Sequence, residues 1–99
     1  MNPAKVVRNE VKRLTDLPNI GKACAADLRL LGIESPEQLL GQDPYDMYSR
    51  INRLTGQIHD PCMLDVFISV TRFMAGDDPK PWWFYTEERK QALTQLPLE

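Results

Sequence analysis

Two stretches of this chain gather residue types that can do chemistry. The first is Leu17-Pro18-Asn19-Ile20-Gly21-Lys22-Ala23-Cys24-Ala25, where a proline, an asparagine and a glycine stand directly ahead of an apolar helical pattern. A tight turn there leaves the N–H groups of Gly21, Lys22 and Ala23 at a helix N-terminus. Such a terminus is a ready anion site, and the Lys22 ammonium adds charge to it. Gly21 is expected to take a positive φ and to let a ligand come close to the backbone. Asn19 suits a left-handed position better than any other non-glycine residue, and Ile20 is expected to plug the turn onto the core. Upstream, Lys5, Arg8 and Lys12 recur at helical spacing as a basic stripe. The chemistry these residues allow is capture of an anion through backbone amides. The plainer alternative is a helix–helix turn with no ligand.

The second stretch is His59-Asp60-Pro61-Cys62-Met63-Leu64-Asp65. His59, Cys62 and Asp65 are metal-capable groups around a helix start, and a helix N-terminus also lowers a thiol pKa. A structural zinc, however, wants four Cys or His ligands at paired spacings, and the chain has two Cys and one His. The simpler expectation is that Asp60 caps the helix, Cys62 packs as a small hydrophobe and His59 hydrogen-bonds in the turn, with no metal and no cofactor. A nucleophile Cys62 with base His59 has no oxyanion donors and no orienting third residue beside it, so no enzyme is expected. Further on, Trp82-Trp83-Phe84-Tyr85 stand in a polar surrounding. Trp82 and Trp83 are a candidate surface for stacking on bases or for a protein partner. The alternative is that about three of the four aromatics clamp the segment onto the core, with Trp82 buried and Trp83 partly exposed.

The elements that must position these groups read as helical throughout, with no alternating run long enough for a strand. Helices are expected over 3–15, 22–31, 36–41, 44–55 and 61–75. Asn2-Pro3, Ser35-Pro36, Asp43-Pro44 and Asp60-Pro61 are start signals, and Gly32 and Gly76 are stops. The first helix should bury Val7, Val11 and Leu14, and the second Cys24, Ala25, Leu28 and Leu31. The helix after Asp60 is apolar on most sides, with Asp65, Ser69 and Arg72 as its narrow polar stripe, and so should be central. Asp77 to Tyr85 should be extended. Thr86 should cap a last helix holding Ala92, Leu93 and Leu96. The expected organisation is one all-α unit: a hairpin domain over 1–76, with an aromatic loop and C-terminal helix, 77–99, packed on it.

Composition narrows the function classes. The net charge is −2 over 99 residues, which argues against a surface basic all round. Residues 1–33 nevertheless carry Lys5, Arg8, Lys12, Arg13, Lys22 and Arg29 against Glu10, Asp16 and Asp27, so a polyanion would land on this third. No apolar run approaches the ~18 residues of a membrane span, so no membrane is expected. Two cysteines do not make a disulfide framework, which points to a reducing, cytoplasmic setting.

The segment from Asn19 to Ala25 resembles the helix-hairpin-helix DNA-binding motif, whose core is glycine, hydrophobe, glycine, three variable residues and alanine. Asn19 stands at the first glycine, Ile20 at the hydrophobe, Gly21 at the second glycine and Ala25 at the alanine. The five expected helices resemble the tandem form, two hairpins joined by a short connector. The second hairpin, Leu54 to Asp60, keeps Gly56 and Ile58 but sets an acid where phosphate would sit, and so is degenerate. Together with the His-Asp-Pro-Cys and Trp-Trp elements, this pattern resembles a family of small bacterial proteins called pathogenicity-locus proteins, some labelled mitomycin-resistance proteins. The resemblance implies a helix-hairpin-helix fold and association with DNA, and carries no established activity. The expected function is a non-enzymatic DNA-binding or DNA-associated accessory role, with phosphate contacts from Asn19, Ile20, Gly21, Lys22, Ala23, Lys5, Arg8 and Lys12. The rival is a protein-interaction module using the Trp-Trp loop.

Overall fold

Proline after a capping residue starts four of the nine described elements. The computed structural model describes residues 2–95. Helix α1 spans Lys22–Leu30, α2 Pro44–Thr55, α3 Pro61–Met74 and α4 Thr86–Gln95. Asp43 and Asp60 cap α2 and α3, their carboxylates accepting from Tyr45 N (2.9 Å) and Cys62 N (2.9 Å), and each is followed by proline at the first helical position. Short 3₁₀ turns occupy Pro3–Lys5, Arg8–Glu10, Leu14–Asp16, Pro36–Leu39 and Trp82–Tyr85. The architecture is all-α, with no strand among the described residues. Leu96 lies outside them, and Leu93 is exposed.

The segment 3–15 is the main correction to the sequence expectation. It forms three separate 3₁₀ turns, with Val6, Val7, Val11 and Arg13 in extended conformation between them. Two causes are visible. β-Branched valines resist the helix. In addition, the Asp16 carboxylate accepts from Lys12 N (3.1 Å) and Arg13 N (2.9 Å), diverting both from helical acceptors and holding its own pKa low. Val7 is consequently exposed, while Val6, Val11 and Leu14 turn to the core. The 36–41 helix is likewise a single 3₁₀ turn, its capping box completed by Gln38. Two α-helices of the five expected for a tandem hairpin plan are therefore replaced by tighter turns.

The centre of the molecule is α3, packed against α2, α4 and the turns at 36–39 and 82–85. Its Phe67, Val70 and Phe73 join Leu14, Leu17, Ile20, Leu28 and Ile51 in the main core, and its Leu64 and Ile68 meet Tyr85 in a smaller cluster. The polar stripe of α3 is a seam to other segments, buried at Asp65 and Ser69 and partly open to solvent at Arg72. Asp65 is 0% exposed and accepts from Thr86 Oγ1 (2.8 Å) and Arg89 Nε (2.9 Å). Ser69 accepts from Asn19 Nδ2 (3.0 Å), and Arg72 pairs with Glu88. The seam fastens α4 and the first turn to α3. A buried ion pair of this kind contributes little net stability but penalises any arrangement that separates its partners.

Candidate functional site

The hairpin between the Leu14–Asp16 turn and α1 is built as the residue types require, with one exchange of roles. Ile20 is 0% exposed and anchors the turn. Asn19 takes the left-handed conformation (φ 68°), alone among the described non-glycine residues. Gly21 does not need positive φ: it sits at φ −95°, ψ −170° as the N-cap of α1. A Cβ built there would meet nothing within 4 Å, so what glycine leaves at this position is open space.

The Asn19 side chain does more than tolerate the turn. Its Nδ2 donates to Ser69 Oγ and to Lys80 O (2.8 Å), and its Oδ1 accepts from Trp82 N (3.2 Å). These bonds lay the aromatic segment beside the hairpin. Pro3, Asn19, Ile20, Gly21, Trp82 and Trp83 together line a shallow groove of about 270 Å³. Trp82 is half-buried against the core, and its ring meets that of Trp83 edge-on at 5.5 Å. Trp83 is 61% exposed and Phe84 59%, with Lys80 Nζ 4.5 Å from the Phe84 ring centre. The extended run expected over 77–85 ends in a 3₁₀ turn, so two of the four aromatics, not three, pack inward: Tyr85 fully and Trp82 partly.

Gly21, which lines the groove, is the N-cap of α1 and gives that helix no side-chain cap, unlike α2 and α3. Among the described residues no acceptor meets the N–H groups of Lys22 and Ala23, both exposed. Gly21 N–H is engaged by the Cys24 thiol, whose pKa is pushed up by burial and the Asp27 charge and eased by that N–H. Two free amides, not three, therefore face solvent beside Lys22.

The expected basic stripe is not assembled. Arg8 is committed elsewhere: its guanidinium lies 4.1 Å above the Phe73 ring and donates to Phe73 O and to Asp77 O (2.6 Å). It tethers the N-terminal segment to the end of α3. Lys5, at the end of the first turn, and Lys12, between the second and third, are both exposed, in separate clefts shared with Glu10 and Asp16. Sequence reasoning missed the Arg8 clamp because its acceptors lie some 65 residues away along the chain.

The second stretch is held by local bonds. His59 N and Nδ1 both reach Asn52 Oδ1 (2.9 and 2.7 Å), and the Tyr48 hydroxyl donates to His59 O. The Cys62 thiol is raised, first by its hydrogen bond to Asp60 and then by burial, the reverse of the lowering a helix N-terminus was expected to give. Asp65 is turned to Arg89, so His59, Cys62 and Asp65 do not converge, and no three metal-capable groups gather among the described residues. No helix among them is long and apolar enough to cross a membrane.

Comparison with known proteins places this architecture. The pathogenicity-locus (Cdd1) family model matches residues 7–91. The mitomycin resistance protein McrB of Streptomyces lavendulae is 40% identical over 80 residues, covering 81% of this chain and 76% of that protein. No solved structure matches. The matched span takes in the hairpin, the His-Asp-Pro-Cys turn and the Trp-Trp segment, and the chain belongs to the pathogenicity-locus family.

Proposed function

We propose that this protein is a non-enzymatic, DNA-associated accessory module that holds a nucleic-acid backbone, without reading sequence, at the N-terminus of α1. One observation carries the reading: Gly21, the side-chain-free cap of α1, lines a groove together with the exposed Trp83, and the uncapped amides of Lys22 and Ala23 follow it directly in the chain. A phosphate on the amides and a sugar or base face against the indole is the pairing such a groove accepts. The resemblance of residues 19–25 to the helix-hairpin-helix motif supports it. The resistance in the name of the relative supports a place for it in a response to DNA damage or stress. With Arg8 committed to Phe73 and Asp77, the contacts reduce to Lys22, the Lys22 and Ala23 amides and the walls of the groove.

The test is a titration with single-stranded, duplex and junction DNA at two salt concentrations. Two to three neutralised phosphates give a slope of log K against log salt of about −2 to −3. Gly21→Asp should abolish binding while leaving melting unchanged or slightly raised. Aspartate is a better N-cap than glycine, and the site has room for its side chain. Unchanged binding by that variant rejects the proposal. A second reading, a protein-docking surface on the Trp-Trp loop, is favoured by the exposure of Trp83 and Phe84. Under it, Gly21→Asp leaves a protein partner bound and Trp83→Ala releases it.

A further inference from the structure

A second groove, sharing no residue with the first, lies between the C-terminal ends of α1 and α2. It holds about 550 Å³ and is lined by Leu30, Leu31, Gly32, Arg50, Arg53 and Leu54. On α2, Met47 and Ile51 face the core; Leu54, seven residues after Met47, continues that side past the buried core, and Arg50 and Arg53 lie beside it, the three at the spacing i, i+3, i+4. Leu30 is 58% exposed and Leu54 62%, an apolar pair that the core does not use. The lining contains two arginines and no acid. Arg50 is anchored, donating to Leu31 O at 3.0 Å and pairing at 3.8 Å with Asp46, which lies outside the lining. Arg53 has no ion-pair or hydrogen-bond partner among the described residues. The groove is thus a strip of leucine with a fixed cation at one edge and an unpaired cation at the other, on a chain whose net charge is −2.

We propose that this groove docks an acidic amphipathic helix of a protein partner. Apolar side chains one turn apart on that helix would cover Leu30 and Leu54, and a carboxylate beside them would pair with Arg53. The warrant is charge complementarity joined to the helix-in-groove mode of recognition, in which anchors at i and i+3 or i+4 supply contact area and flanking charges select the partner. A nucleic-acid backbone would satisfy the arginines but leave both leucines uncovered, which is why a protein is favoured. The inference stands independently of the hairpin reading.

The experiment pans a peptide display library on the intact protein and measures synthesised consensus peptides by fluorescence polarisation. The expected consensus has two apolar residues spaced three or four apart with flanking Asp or Glu. Arg53→Glu should weaken its binding by at least ~10-fold, since like charges then face each other, and Leu54→Ser should weaken it as well. Both positions are exposed, so unchanged melting confirms that the variants fold. The proposal is overturned by an absence of enriched peptides, by a consensus without acids, or by equal binding to Arg53→Glu. It is also overturned if Arg53→Glu releases a dT20 oligonucleotide and not the peptide, or if sedimentation shows self-association that Leu54→Ser removes.

Discussion

The turns that lead into α1 and α3, one after a 3₁₀ turn and the other after α2, differ in what they leave open. Each turns on one left-handed residue, Asn19 at φ 68° and Gly56 at φ 69°. Each then carries an isoleucine and a cap residue ahead of the next helix. In the first hairpin the isoleucine is 0% exposed; in the second, Ile58 is 88% exposed. The first cap is Gly21, with no side chain, so α1 offers its amides to solvent. The second cap is Asp60, whose carboxylate accepts from Cys62 N and fills the end of α3 itself. The first is tied to distant parts of the chain through Asn19, the second to its own neighbourhood through Asn52 and His59. A helix–turn–helix is therefore not by itself an anion site. The cap residue decides whether the helix dipole faces a ligand or a carboxylate of the same chain.

The largest effect that distinguishes the hairpins should come from their isoleucines. Ile20→Ala removes a fully buried anchor and should cost about 2–5 kcal/mol. In a domain of this size that lowers Tm by roughly 10 °C or more. Ile58→Ala should stay within about 0.5 kcal/mol of wild type. Equal losses in the two melting curves would mean that the second turn is as deeply anchored as the first.

That contrast also shows where the sequence was legible. Ile20 follows Asn19 directly while Ile58 stands between Gln57 and His59, a local difference that marks the second turn as degenerate; the contrast in burial itself comes from the core cluster of Leu14, Leu17 and Phe67 that only Ile20 joins. The helices with a capping acid and proline, α2 and α3, were readable to within a residue because their signals are local. The 3–15 segment was misread because periodicity registers apolar spacing and not the competition of Asp16 for backbone N–H groups. In the site, Asn19, Gly21 and Lys22 were identifiable from turn chemistry. The role of Asn19 as a bridge to Lys80 and Trp82 was not, since its partners lie about 60 residues away. The stripe of Asp65, Ser69 and Arg72 carried a usable signal: three polar residues on one face of an otherwise apolar central helix mark a seam that other segments must satisfy.

A smaller effect sharpens the difference in tethering. Asn19→Gly restores the glycine of the helix-hairpin-helix pattern and relieves the left-handed conformation, yet deletes the bonds to Ser69, Lys80 and Trp82. The net result should be a loss of about 1–2 kcal/mol together with a red-shifted tryptophan emission as Trp82 loosens. Neutral melting with unshifted emission would show that the first hairpin, like the second, holds itself.

The smallest effect addresses the second hairpin's own closure. Asp60→Asn keeps a side chain that caps as well as aspartate and removes only the charge. At neutral pH stability should hardly change. The acid limb should. Cys62 N–H holds the Asp60 carboxyl below the ordinary carboxylate range, so its contribution is complete above the unfolded value near ~3.9 and is lost as pH falls through the lower folded one. The variant should lack that part of the slope below about pH 4. The thiol offers an independent check. Asp60 is the first cause of the raised Cys62 pKa, so Asp60→Asn should speed reaction of Cys62 with a thiol reagent at mildly alkaline pH. Oligonucleotide affinity should rise by no more than about two-fold, the loss of one exposed repulsive charge. A rise of ten-fold would mean that the α3 terminus binds phosphate once uncharged. The two hairpins would then differ by one removable carboxylate and not by the way each is built into the fold.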